Sequence, residues 1–228
     1  MSLWIKICGN TTLEDARVAV AAGADAVGFV FAASPRRVTA SEAAAIAQRL
    51  PATVEKIGVF VDAALDEIYS TVRECGLTGV QLHSEAGPEL PAKLRALLGP
   101  ELRVLRVVHV SAGAEESATE QIAQHARNPD VDAVLVDSRT ATAVGGTGVP
   151  FDWAAARKTL FQNAKERKLI AAGGLSPENV AEAIAALRPW GVDVVSGVEA
   201  APGRKDPDKV REFIVRARGA DRERRLRA

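Results

Sequence analysis

Apolar positions along this chain alternate between the period of a strand and the period of a helix. Near the start, Ile5-Lys6-Ile7-Cys8 has period two, which sets Ile5 and Ile7 on one face and Lys6 and Cys8 on the other. A short apolar pattern then recurs as GADAV at 23–27, GLTGV at 76–80, DVDAV at 130–134 and GVDVV at 191–195. The spacing is roughly 50 to 60 residues, long enough for two strand-helix units per interval. Further apolar runs fall between them: VEKIGVFV at 54–61, LRVLRVV at 102–108 and LIAAGG at 169–174. Helical periodicity fills the gaps and carries start signals. Thr11 with Glu14 and Thr39 with Glu42 have capping-box spacing, and Ser176-Pro177 and Asp206-Pro207 pair a cap with a first-turn proline. Gly23 and Gly76 stand where helices should stop.

Eight strands, each followed by a helix, call for a parallel sheet. A closed α/β fold, a single-domain (β/α)8 barrel over residues 1–217, is the economical solution, with an open doubly wound sheet as the alternative. Residues 218–228 are expected to form a charged helical extension or a disordered tail. The 228 residues, 47% hydrophobic, suffice for one such core. In this fold the residues that do chemistry lie just after each strand.

Composition narrows the function classes. Lys plus Arg and Asp plus Glu both number 29, so no global field favours nucleic acid or an anionic membrane, and an anion would need a local site. Two cysteines and three histidines make neither a disulfide framework nor a metal cluster, so no metal is expected. There is no export signal and no apolar run of bilayer length, and the expected setting is the cytoplasm.

The strand ends gather Cys8-Gly9-Asn10, the SPRRV loop at 34–38, Gln81-Leu82-His83, His109, Asp137 and two glycine-rich stretches. Those stretches, Gly173-Gly174 before a helix expected from Ser176 and Ser196-Gly197 before one at Asp206, follow the last two strands. Backbone N–H groups at such places form a phosphate cradle without needing lysine. Lys6, Gln81, His83 and Asp193 share the inward parity, and a buried charge must be paired or used.

With those segments on the page, KICGN, GADAVGFVFAASPRRV, IGVFVD, GVQLHSE, VDSRTATAVGGTGVPFDW, AAGGLSPENV and GVDVVSGVEAAPGRKD together resemble the phosphoribosylanthranilate isomerase family of tryptophan biosynthesis, in order from about residue 4 to 215. The resemblance implies an Amadori rearrangement of N-(5-phosphoribosyl)anthranilate with neither metal nor organic cofactor. It makes Cys8 the general base, Asp137 the general acid and Arg36 the partner of the anthranilate carboxylate. Gln81, His83 and Gly146 are expected beside the substrate, Gly146 in a glycine loop, 145–148, that folds over it. Lys6 is expected to supply positive charge to the Cys8 thiol, whose reference pKa near ~8.5 is high for a base at neutral pH. The chain departs from the family at Ser84 and Arg37, and its second loop is one residue shorter.

Cys75 reads as structural, and His109 and His125 receive no role. The basic tail RERRLR reads as a solvated helix end. The expected partner is a small sugar phosphate, bound by a monomer or homodimer. A histidine-pathway aminoaldose isomerase would end strand one in aspartate, and indole-glycerol-phosphate synthase would need catalytic lysines and a longer N-terminus. A non-catalytic sugar-phosphate-binding barrel is the alternative from another class; if either Cys8 or Asp137 points away from the pocket, the isomerase reading loses its mechanism.

Overall fold

The computed structural model describes residues 2–83, 87–110, 115–137, 153–162 and 166–226. Among them, eight parallel strands close into a barrel in sequence order, β1 pairing with both β2 and β8. The first half runs β1 (Trp4–Ile7), α1 (Leu13–Ala22), β2 (Ala26–Val30), α2 (Ala40–Ala47), β3 (Glu55–Phe60), α3 (Leu65–Cys75), β4 (Gly79–Leu82) and α4 (Leu90–Leu98). The second half continues with β5 (Arg103–His109), α5 (Glu115–Arg127), β6 (Ala133–Asp137), α6 (Trp153–Thr159), β7 (Leu169–Ala172), α7 (Val180–Leu187) and β8 (Gly191–Val194). A two-stranded ribbon, β9 (Glu199–Ala201) with β10 (Arg204–Lys205), precedes the last helix, α8 (Pro207–Leu226).

Strand parity sorts the side chains into two cores. Ile5, Ile7, Val27, Phe29, Val80, Val134 and Val192 face outward onto the helices, against residues such as Ala19, Ile68, Leu94, Ile184 and Phe213. Trp4, Ala26, Ile57, Leu105, Ala133, Leu135 and Ile170 fill the barrel interior. Trp4 stacks on Trp190, with ring centroids 5.5 Å apart, and Arg103 lies 6.0 Å from the Trp190 ring centroid. This stack closes the N-terminal end of the barrel, which leaves the C-terminal end for a ligand.

Some local signals act one to a few residues away from where the pattern sets them. Thr39 and Glu42 do form a capping box, and Gly23 and Gly76 do cap their helices in the left-handed conformation. The cap of α1, however, is Thr12, whose hydroxyl accepts from Asp15 N, while Thr11 Oγ1 donates to Gly203 O at 2.6 Å. Ser176 does not start α7. Its N–H donates to Asn179 Oδ1 at 2.9 Å, Asn179 Nδ2 donates to Gly174 O, and the helix begins only at Val180. The charged tail continues α8 to Leu226 without a break. Buried Asp221 accepts from Leu3 N at 3.2 Å and pairs with Arg224 and Arg225, which ties the last turns of α8 to the start of β1.

Candidate active site

At the C-terminal ends of the strands a cavity of about 360 Å³ is lined by Cys8, Arg36, Gln81, His83, His109, Asp137, Gly173, Gly174, Asp193 and Ser196 among others. Of the residues picked from sequence, Cys8, Arg36, Gln81, His83, Asp137, Gly173, Gly174 and Ser196 all reach it. Gly146, with the rest of the 145–148 glycine loop, lies outside the described residues, as does Ser84. A larger depression of about 600 Å³ sits on the outer surface against Leu13, Arg17, Val18 and Arg211, with no strand end in it.

Cys8 is brought to the mouth by β1, and β2 makes room for it. A Cβ added at Gly28 would overlap the Cys8 Sγ and come within 3.0 Å of Lys6 Cε. Beneath the thiol, the fully buried Lys6 donates to Asp193 Oδ1 and to Gln81 Oε1, both at 2.8 Å. The β1–β8 register places Lys6 directly opposite Asp193. Burial would lower the Lys6 pKa, but the Asp193 carboxylate at 2.8 Å works against it and the ammonium stays charged, its pKa raised.

Lys6 does supply positive charge that favours the thiolate, as expected, but it does not carry the balance. Burial pushes the Cys8 thiol above its ordinary range. Lys6 pulls the other way, but Asp193, two residues from the rim on β8, adds to the rise. Lys6 is already neutralised by its own carboxylate, so in the free protein Cys8 is a protonated thiol at neutral pH.

Arg36 projects from a tight turn in which its N–H donates to Ser34 Oγ at 3.1 Å and Arg37 N–H donates to Ser34 O at 3.0 Å. Its guanidinium forks buried Glu199, Nε to Oε1 at 2.8 Å and Nη2 to Oε2 at 2.6 Å. Lys205 reaches the same carboxylate at 3.3 Å. Sequence reading did not find Glu199 or Lys205, because they lie in the ribbon after β8, where no period marks them. The fork spends one edge of Arg36 and fixes its plane. The Nη1 donors have no partner among the described residues. Two cations share one carboxylate here. Burial opposes ionisation of Glu199, but Arg36 and Lys205 outweigh it and hold the carboxyl below its ordinary value. The cluster carries one positive charge in excess beside the cavity. Arg37 points to solvent and lines no part of it.

The two glycine stretches face the cavity between Asp137 and Cys8, since β7 and β8 separate β6 from β1 around the barrel. Gly173 and Gly174 have φ of +88° and +66°, and a Cβ on Gly174 would meet nothing within 4 Å. The N–H groups of Gly174, Ser196 and Gly197 have no partner among the described residues. The Gly174 donor lies beside open space and Ser196 lines the cavity, which suits an anion, whereas Gly197 is not part of the cavity lining. Two details differ from the sequence reading. The donors belong to loops, because α7 begins six residues after Gly174. Gly197 is also needed for packing, since a Cβ there would run into the Leu175 carbonyl of the neighbouring loop.

On the far wall Gln81 Nε2 is 2.9 Å from His83 Nε2, and His83 Nδ1 is 3.2 Å from His109 Nε2. His109 Nδ1 is 3.6 Å from Asp137 Oδ2. Strand pairing sets His109 opposite Asp137, and the Asp137 carbonyl accepts from Val110 N at 3.0 Å. His109, given no role from sequence, is thus a wall residue. Its strand-end position was the signal that could have found it.

Known proteins are similar to this chain in sequence and fold. The family described as N-(5'phosphoribosyl)anthranilate (PRA) isomerase matches residues 5–216. The N-(5'-phosphoribosyl)anthranilate isomerase of Pelobacter propionicus is 46% identical over 211 residues, covering 92% of this chain and 93% of that one. The phosphoribosyl anthranilate isomerase structure from Thermotoga maritima superposes with a TM-score of 0.80 at 38% identity, covering 95% of this chain and 99% of that one. Another solved isomerase, in complex with reduced 1-(o-carboxyphenylamino)-1-deoxyribulose 5-phosphate, gives a TM-score of 0.78 at 38% identity with the same coverage. With a match this long, and with the strand-end residues assembled in one cavity, the chain belongs to the N-(5'-phosphoribosyl)anthranilate isomerase family.

Proposed function

We infer that this protein is the isomerase of tryptophan biosynthesis that converts N-(5-phosphoribosyl)anthranilate to 1-(2-carboxyphenylamino)-1-deoxyribulose 5-phosphate, with Asp137 as general acid and Cys8 as general base. One observation carries the assignment of roles: Cys8 and Asp137 line the same cavity and flank the glycine loops that suit a phosphate. A phosphate held over β7 and β8 sets the sugar between the two. Asp137 then donates a proton to the ring oxygen, the ring opens to an iminium, and Cys8 removes the C2 proton to give the enamine that becomes the ketone. The cationic iminium both acidifies C2 and favours a thiolate beside it, so the Cys8 thiol gives its proton to solvent water as the iminium forms and the resulting thiolate takes the C2 proton.

Had Cys8 or Asp137 pointed away from the pocket, the isomerase reading would have lost its mechanism, and both line it. The reading includes a cytoplasmic setting and action as a monomer or homodimer. No helix among the described residues is long and apolar enough to cross a membrane. Adding phosphoribosylanthranilate to the purified protein and following loss of anthranilate-type fluorescence tests the activity. A constant signal rejects it.

Binding and chemistry separate at Arg36. Arg36 lines the cavity, and loss of a charged bidentate pair from a partly buried site costs about 2–5 kcal/mol. Arg36→Ala should therefore raise KM by one to several decades with a smaller change in kcat, and Arg37→Ala should change little. Arg36→Lys keeps charge near Glu199 but loses the fork, and should fall between. Reversed behaviour of the two arginines would show that Arg37 is the carboxylate partner.

The anion site has its own test. Inorganic phosphate should inhibit competitively, and Gly174→Val should weaken that inhibition and raise KM at least about tenfold. The new side chain enters the open space, and a β-branched residue resists the left-handed φ of +66°. Wild-type inhibition and turnover in this variant would put the phosphate elsewhere.

A further inference from the structure

The wall between Lys6 and Asp137 is a row of hydrogen-bonding groups whose direction is fixed at one end. Lys6 has donors and no acceptor, so its 2.8 Å bond requires Gln81 to turn Oε1 toward it. The Gln81 amide nitrogen, which can only donate, then meets His83 Nε2 at 2.9 Å. His83 Nε2 must hold a lone pair, and neutral His83 carries its proton on Nδ1. That N–H donates to His109 Nε2 at 3.2 Å, so His109 also carries its proton on Nδ1. This is the atom that stands 3.6 Å from Asp137 Oδ2. The orientation of the amide and both tautomers follow from the lysine, with no free choice along the row.

We propose that His109 is a positioning residue for Asp137, held by the Lys6–Gln81–His83 row as the Nδ1–H tautomer so that it presents a donor to Oδ2. The inference rests on Asp137 being the general acid. With Oδ2 engaged, the proton that Asp137 delivers to the substrate sits on Oδ1, and the carboxylate left after delivery meets a donor already in place. At 3.6 Å the two groups face each other without a hydrogen bond, and the contact would close when substrate binds, as catalytic contacts often do. The placement also explains why a half-exposed histidine stands on β5 directly across the ladder from Asp137.

The tautomers can be read directly. In the full-length protein labelled with ¹⁵N-histidine, two-bond nitrogen-proton spectra distinguish Nδ1–H from Nε2–H rings, and His125→Gln, on α5 outside the cavity lining, removes the third histidine's signals. His83 and His109 should both be Nδ1–H at neutral pH, although free neutral histidine favours Nε2–H. An Nε2–H ring or an imidazolium at either position overturns the proposal. Gln81→Glu replaces the donor by an acceptor and should invert both tautomers, with kcat down about tenfold or more, the scale of one hydrogen bond to an ionised group. Unchanged tautomers in a folded Gln81→Glu protein would also overturn it.

Because that variant adds a buried charge and can fail to fold, a second pair is independent of it. His109→Ala should lower kcat about tenfold with KM within about threefold, while His109→Asn, which keeps an N–H near the place of Nδ1, should recover most of the loss. Wild-type kcat in His109→Ala rejects the positioning role. A wild-type protein that showed both Nδ1–H rings but no isomerase activity would instead reject the reading of Asp137, because the spectra report the direction of the row without any turnover.

Discussion

Cys8→Ala should lower kcat by about 10²–10⁴, the usual worth of a general base, with KM near the wild-type value. The change is sharp because of where the thiol sits. Cys8 occupies space that β2 leaves by having glycine at position 28, and the side chain below it, Lys6, is tied to Asp193 and Gln81 rather than to the sulfur alone. Truncation to alanine thus removes one atom from a wall whose other members hold each other in place. The expected cost in stability is that of a small void, about 1 kcal/mol, so the melting temperature should move only by a few degrees. Gly28→Ala provides the complement. It leaves the thiol in the protein but pushes into it, and should lose part of the same kcat. A Cys8→Ala enzyme within a few-fold of wild-type kcat would remove Cys8 from the mechanism, and the C2 proton would need another acceptor on this wall.

The strand of Ile5, Lys6, Ile7 and Cys8 shows what sequence can carry. Its alternation assigns two residues to the helices and two to the interior, and the structure does the same, with Ile5 and Ile7 in the outer core and Lys6 and Cys8 inside. Parity within a strand is local information. The neighbour that decides the Lys6 charge is not, because Asp193 stands 187 positions along the chain and meets Lys6 through the closing β1–β8 ladder. Period along β1 says which face Lys6 takes but nothing of how deeply Cys8 is buried or of the register with β8, and burial first, with Asp193 added, outweighs the pull of Lys6 on the thiol.

Arg36 and His109 follow the same division. That an arginine stands on the second loop was legible, whereas its fork to Glu199 depends on how the ribbon after β8 folds back under that loop. His109 was visible as a strand end. Its partner His83 directly follows the neighbouring strand, and only the lateral spacing of β4 and β5 makes them a pair. Ser176-Pro177 reads as a helix start by composition, but Asn179 competes for the Ser176 N–H and the Gly174 carbonyl and holds a turn there instead. That turn keeps the Gly173-Gly174 loop open toward the cavity.

Asp137→Asn should abolish turnover of the closed-ring substrate, by at least about 10²-fold, while leaving the protein folded and able to bind phosphate. The amide has nearly the shape of the carboxyl but is far too weak an acid to protonate a ring oxygen. Position 137 ends β6, its carbonyl already fixed by Val110 N, so the substituted side chain should stay at the same place in the wall. The loss should appear in kcat, since the anion loops on β7 and β8 and the Arg36 cluster are untouched. Phosphate inhibition at the wild-type concentration is the control that separates lost chemistry from lost binding. Retention of more than about a tenth of the rate would mean that another group donates the proton. His109 is the nearest candidate in the described wall, at 3.6 Å from the Asp137 carboxylate. In that case combining Asp137→Asn with His109→Ala should remove the remainder. If the double variant kept it, ring opening would not need an acid from this wall, and the phosphate loops and Cys8 would have to account for the catalysis by themselves.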